Sequence, residues 1–168
     1  MRPVGRLTVL ALRVLLVMLF AGMLVIQGVI LPLLGIDISE ESPETATLGW
    51  VVVGIGIAGV LTVEVALVCV WKLLTMVKRD TVFSAAAFRY VDVIIGSAVA
   101  ATLLAVALTF ALAPGEAVPP GFVLVVVIAG VGTAGIAVLV LVLRQLLVKA
   151  VALDSTASTL RAELDEVI

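Results

Sequence analysis

Residues 72–92 read KLLTMVKRDTVFSAAAFRYVD, and the fold is decided by what this stretch separates. Two long apolar runs precede it and two follow. It carries Lys72, Lys78, Arg79 and Arg89, four of the ten basic residues in the chain, together with the one tyrosine. A short basic and aromatic stretch between apolar runs is the pattern of a loop on the cytoplasmic side of a membrane, where Lys and Arg accumulate.

Composition supports lipid as the solvent for most of the chain. Apolar residues make up 64% of 168 residues and charged residues 13%, against roughly 45–50% and about 25% in an ordinary globular chain. A water-soluble fold of this size has too little interior to hide that excess. The sequence therefore predicts an all-α polytopic membrane protein. It would have four transmembrane helices in an antiparallel up-down bundle and a cytoplasmic helical extension at the C-terminal end.

The four expected spans cover residues 14–34, 50–71, 91–113 and 122–143, with 144–168 forming the amphipathic tail. The front end resembles a secretory signal, but its apolar run is about 21 residues, longer than the roughly 7–15 of a signal core, and no small-x-small cleavage site follows. A run of that length reaches about 30 Å as a helix and can cross the hydrocarbon layer. Pro32 falls near its outer end, where a helix is expected to tolerate proline or stop. The next segment, GIDISEESPETATLG at 35–49, contains Asp37, Glu40, Glu41 and Glu44 and no basic residue; it reads as a solvated acidic loop, with weak cation binding the lesser alternative. Trp50 and Trp71 bracket the second span at positions suited to the two interfaces. The turn APGEAVPPG joins the third and fourth spans.

Charge fixes the expected orientation. All ten basic residues lie before the first span, in the 72–92 stretch, or after the fourth span. By the positive-inside rule both termini and the central hinge face the cytoplasm of a multi-pass plasma-membrane protein. Residues 49–60 and 121–132 share Ile-Ala-Gly-Val, which fits either a parallel duplication or the general likeness of Gly/Ala/Val spans.

Small residues recur at Gly54/Ala58, Gly96/Ala100 and Gly130/Ala134, a spacing that lets helix backbones approach. Packing within one bundle is favoured over a homodimer face, and both remain open. Glu64 is the acidic residue well inside a span, about 10 Å deeper than Trp71 at ~1.5 Å per residue. A carboxylate there must face the bundle, be protonated or meet a partner. Ser97 is expected at similar depth with Thr102 beyond it. Gln27 is expected one or two turns further out, too far for a direct pair. Glu64, Gln27 and Ser97 form the candidate intramembrane polar site, read either as a proton- or ligand-responsive centre or, preferably, as a structural lock.

On the cytoplasmic side, Ser84 can cap the following helix, and Arg89 and Asp92 stand one turn apart and can pair. Lys78, Arg79, Phe83, Phe88, Arg89 and Asp92 make one half of a candidate docking face. The tail supplies the other half. Leu139, Leu143, Leu146, Ala150, Leu153, Ala157, Leu160, Leu164 and Val167 alternate by four and three, a heptad seam that runs out of the fourth span. A protein partner and a helix lying on the membrane surface both explain that stripe.

With no histidine and one cysteine, Cys69, zinc and haem sites and histidine-based nucleophilic catalysis have no ligand or base. No cofactor, metal site or catalytic site is expected, and no residue pattern reads nucleic acid. A transporter or ion-pathway subunit using Glu64 and Gln27 is the alternative to an interaction protein.

Two segments carry a resemblance. MVKRDTVFSAAAFRYVDVII at 76–95 and the chain end LRAELDEVI at 160–168 resemble the bacterial domain-of-unknown-function family 2975, small four-span membrane proteins, with the actinobacterial members most similar. The resemblance spans essentially the whole chain. It implies a bacterial plasma-membrane location and no catalytic residues. Relatives are often encoded beside a small helix-turn-helix regulator, which implies a membrane protein that tethers or modulates a transcription factor.

Overall fold

The computed structural model describes residues 6–41, 46–77, 85–112 and 120–167. They form α1 (Arg6–Val25), a π-helical turn (Ile26–Ile30), α2 (Leu31–Glu41), α3 (Ala46–Val77), α4 (Ala85–Leu112) and α5 (Pro120–Val167). Four helical segments are long and apolar enough to cross a membrane: Val9–Glu40, Gly49–Met76, Ala87–Leu112 and Gly121–Leu153. The described residues contain no strand. Each crossing helix packs on its neighbour in sequence: α2 and, less closely, α1 on α3, α3 on α4, and α4 on α5.

The first crossing runs past the end expected at residue 34. Pro32 does not stop the helix, which continues to Glu41. A proline ring clashes with the carbonyl four residues back in an α-helix and removes one N–H. Here the turn before it is widened: the N–H of Leu31 donates to the carbonyl of Ile26, five residues back. A π turn moves the crowded carbonyl aside and keeps the backbone bonded within the bilayer.

The expected acidic loop at 35–49 is also mostly helix. Asp37, Ser39, Glu40 and Glu41 complete α2, and α3 begins at Ala46, leaving only 42–45 outside the described residues. The reason is a packing contact that loop chemistry does not reveal. Gly35 and Gly49 are both buried where α2 meets α3. A Cβ on Gly49 would stand 2.7 Å from the Gly35 carbonyl oxygen, and one on Gly35 would overlap the Val53 side chain. Beside this approach Ile38, Val52 and Leu112 form a buried cluster with Leu34, Leu108, Phe122 and Val123 packed against it. All four crossings contribute, so the helices come together at the end of the bundle where α2 ends and α3 begins. The apolar Ile38 holds the end of α2 down while Asp37 and Glu40 stay exposed.

Further along, the bundle loosens. A cleft of about 290 Å³ opens between Met23, Gly56, Val60, Leu104, Val126 and Thr133. Of the three small-residue pairs, Gly130 is packed, its would-be Cβ 3.0 Å from that of Ala105, whereas Gly54 and Gly96 face open space. Packing within the bundle thus accounts for one of the three.

The last helix is a single piece of 48 residues. Pro120 occupies its first turn, where the missing N–H costs nothing. At ~1.5 Å per residue such a helix is about 72 Å long, against about 30 Å of hydrocarbon. More than half of α5 is surplus to crossing.

Candidate functional site

The intramembrane polar site is built on the π turn. Gln27 lies inside it, and its Nε2 donates to Glu64 Oε1 on α3 at 3.1 Å. Glu64 is buried, 7% exposed. This corrects the expectation that Gln27 sits too far out to meet Glu64. Counting residues along rigid cylinders ignores the reach of two long flexible side chains toward each other, and a five-residue turn changes the face on which Gln27 emerges. The other amide atom, Gln27 Oε1, is buried without a hydrogen-bond partner.

Ser97 is buried but not part of this pair: its hydroxyl donates to the carbonyl of Ile94 on its own helix at 2.9 Å. The polar contact between α4 and α5 is made instead by Thr102 and Thr133, whose hydroxyl oxygens stand 3.0 Å apart. Each is also within bonding distance of a backbone carbonyl, Ala98 and Gly130 respectively. A threonine hydroxyl has one hydrogen, so one of them bridges the helices while the other stays on its own turn. No sequence signal ties Thr133 to Thr102, since the two hydroxyls stand 31 positions apart in separate apolar runs.

At the end of the bundle where α4 begins, Arg144 of α5 holds Asp92 of α4. Nη2 donates to Oδ2 at 3.1 Å, and Nε lies 2.5 Å from Oδ1 as a close charge contact rather than an aligned hydrogen bond. The ion pair the structure gives Asp92 is therefore across the bundle, not with Arg89 one turn away. Both residues are partly exposed, at 32% and 51% of the side chain, so the pair contributes at most about 1 kcal/mol. Its value is positional, since it fixes where α5 leaves the bundle.

A second contact toward the same end joins the first crossing to the second. The Arg13 guanidinium carbon lies 5.3 Å from the centroid of the Trp71 ring, a cation–π distance.

Of the candidate docking residues, Phe88 is half-buried, Arg89 and Asp92 are exposed on α4, and Leu153 is exposed on α5. Lys78, Arg79, Phe83 and the capping Ser84 lie outside the described residues, as do the side chains of Leu160 and Leu164, although α5 runs through both positions. The described part of the heptad seam is solvent- or lipid-facing: Leu139, Leu143, Leu146 and Leu153 are all more than half exposed.

No curated protein and no solved structure matches the chain. A family does: the one described as "protein of unknown function (DUF2975)" matches residues 33–168. That segment starts next to Pro32 and takes in α3, α4 and α5 whole, with the Gly35–Gly49 approach, Glu64, Asp92 and Arg144 inside it. By that match and by its four apolar crossings, the chain belongs to the DUF2975 family of proteins.

Proposed function

We propose that the chain is a bacterial plasma-membrane interaction protein whose α5 carries the state of the bundle to a cytoplasmic partner. The partner implied by the family resemblance is a helix-turn-helix transcription regulator, held at the membrane or released. The observation that carries this reading is the continuity of α5. A crossing helix that runs on unbroken, with an apolar seam exposed along its described length, offers a partner helix a row of i, i+3, i+4 and i+7 anchors. A bundle that served only to sit in the bilayer has no use for that surplus. Orientation with both termini inside is supported by the placement of all ten basic residues.

The Gln27–Glu64 bond bears on the alternative, a small transporter or ion pathway. Glu64 has a neutral amide partner rather than a second acid. A single interhelical bond of this type locks two helices in register, and we favour that role. In the flux reading, Glu64→Gln abolishes a gradient-driven flux in proteoliposomes; a wild-type chain that passes no ion or proton under any gradient counts against it.

The test of the preferred reading is co-purification of the full chain, and of a chain lacking residues 145–168, with the neighbouring regulator. Capture by the full chain alone is the expected result. Equal capture by both, or by neither, overturns the proposal.

A further inference from the structure

Between α1 and α3 an apolar groove of about 360 Å³ is lined by Leu16, Val17, Phe20, Leu24, Leu67 and Trp71. It is open sideways: Val17, Leu24 and Val68 on its walls are about half exposed. Its volume falls within the roughly 300–1,000 Å³ of small-molecule sites. From Leu16 to Leu24 it follows the helix for about 12 Å, at ~1.5 Å per residue.

The groove exists because the first crossing is clamped to α3 unevenly. α2 packs closely through Gly35 and Gly49, and Gln27 holds Glu64 at the π turn. Beyond that turn α1 approaches α3 less closely, until Arg13 closes over Trp71. One side of the gap between these clamps faces lipid.

At the Trp71 end of the groove stands a cation with no ion-pair partner among the described residues. Arg13 lies over Trp71, itself a groove residue, and is half-buried. Its Nε is buried with no hydrogen-bond partner, and no ion pair involves it among the described residues. Stacking on a ring face leaves the in-plane N–H donors of a guanidinium free. A half-buried guanidinium near the membrane interface favours an anion beside it, and the planar fork of arginine suits a phosphate.

The geometry points to a bound anionic glycerophospholipid, with one acyl chain in the α1–α3 groove and its headgroup phosphate on the Arg13 guanidinium. The charge and the apolar volume are complementary to the two ends of one molecule, and they occur in the right order, phosphate toward the interface marked by Trp71 and hydrocarbon toward the bilayer centre. This site lies on the opposite flank of α3 from α4 and does not depend on the role of α5. Occupancy would brace α1, the part of the first crossing held less closely to α3 than α2 is.

The experiment uses the full chain in nanodiscs containing equal amounts of phosphatidylglycerol and phosphatidylcholine with identical acyl chains. Native mass spectrometry after release counts the lipids retained. The expected result is one retained lipid, phosphatidylglycerol over phosphatidylcholine by fivefold or more. Arg13→Gln brings that ratio near one with helical content unchanged. Ala21→Phe or Val17→Trp, each adding bulk at an exposed residue that lines the groove, lowers retention of both lipids. Soluble glycerol 3-phosphate at millimolar concentration leaves the lipid in place. A ratio near one in the wild type, an unchanged ratio in Arg13→Gln, or full displacement by glycerol 3-phosphate overturns the proposal. So does a dimer that Val17→Trp dissolves with no loss of lipid, which would put a second copy in the groove.

Discussion

Gln27 and Glu64, separated by 37 positions in the chain, share a 3.1 Å hydrogen bond where a π turn meets the buried face of α3. The bond ties the crossing that contains Pro32 to the next one. Interhelical hydrogen bonds in membranes average about 0.6 kcal/mol and reach about 1.7 kcal/mol. With Glu64 nearly inaccessible, the upper part of that range applies. Gln27→Leu should therefore destabilise the bundle by about 1 kcal/mol or more, because it leaves a buried carboxyl group without its donor. Gln27→Leu combined with Glu64→Leu should recover most of the loss. Reversible unfolding in mixed micelles gives the four stabilities of the cycle; a coupling energy indistinguishable from zero would mean the two side chains do not act together.

The close approach of α2 and α3 predicts a contrast between two glycines five positions apart. Alanine normally gains about 1 kcal/mol over glycine inside a helix. At Gly54 the added methyl meets nothing within 4 Å, so Gly54→Ala should be neutral or stabilising. At Gly49 it meets the backbone oxygen of Gly35 at 2.7 Å, and a backbone atom cannot rotate away. Gly49→Ala should cost about 1–3 kcal/mol, the range for overpacking. The same unfolding assay distinguishes them, and equal effects would show that the helices are not in this contact.

The contrast also marks what sequence alone made readable. Four crossings followed from the apolar runs. The long α5 followed from the alternating spacing of Leu139 through Val167, because a period near 3.5 is a property of one chain segment. The contacts between segments did not follow. Gly35 and Gly49 lie in a stretch whose serines, proline and acids read as a loop, and only the burial of Ile38 against Val52 and Leu112 turns its first half into helix. Glu64 was conspicuous as a carboxylate in an apolar run, yet its partner depended on how a proline-widened turn redirects Gln27. Asp92 had a basic neighbour on its own helix, and the partner it takes, Arg144, is 52 positions away.

That ion pair should matter for register more than for stability. Reversing Asp92→Arg alone places two cations together where α4 and α5 meet and should cost about 0.5–1 kcal/mol. Adding Arg144→Asp should restore the loss, since exposed pairs are worth up to about 1 kcal/mol. The coupling should shrink between about 0.01 M and about 1 M salt, over which the Debye length falls from about 30 Å to about 3 Å. Coupling insensitive to salt would imply a desolvated pair, in conflict with the exposure of Asp92, 51% of the side chain.

The unbroken course of α5 makes the most direct demand on the proposed role. A lever transmits a displacement only if it does not bend between the bundle and the partner. Spin labels at Ile136→Cys and Ala157→Cys, with Cys69→Ser to remove the native thiol, sit on exposed positions of one helix. They are 21 residues apart, so a straight helix holds their backbones about 32 Å apart at ~1.5 Å per residue. A single narrow distance distribution near that value is expected from electron–electron resonance in nanodiscs. Inserting Gly-Gly after Val148 should broaden it, because glycine disfavours helix by about 1 kcal/mol per residue, and should abolish partner capture while leaving the Asp92–Arg144 coupling intact. A broad distribution in the unmodified chain would mean that the segment beyond Arg144 is hinged, and a hinged segment can tether a regulator but cannot report to it how the crossings are packed.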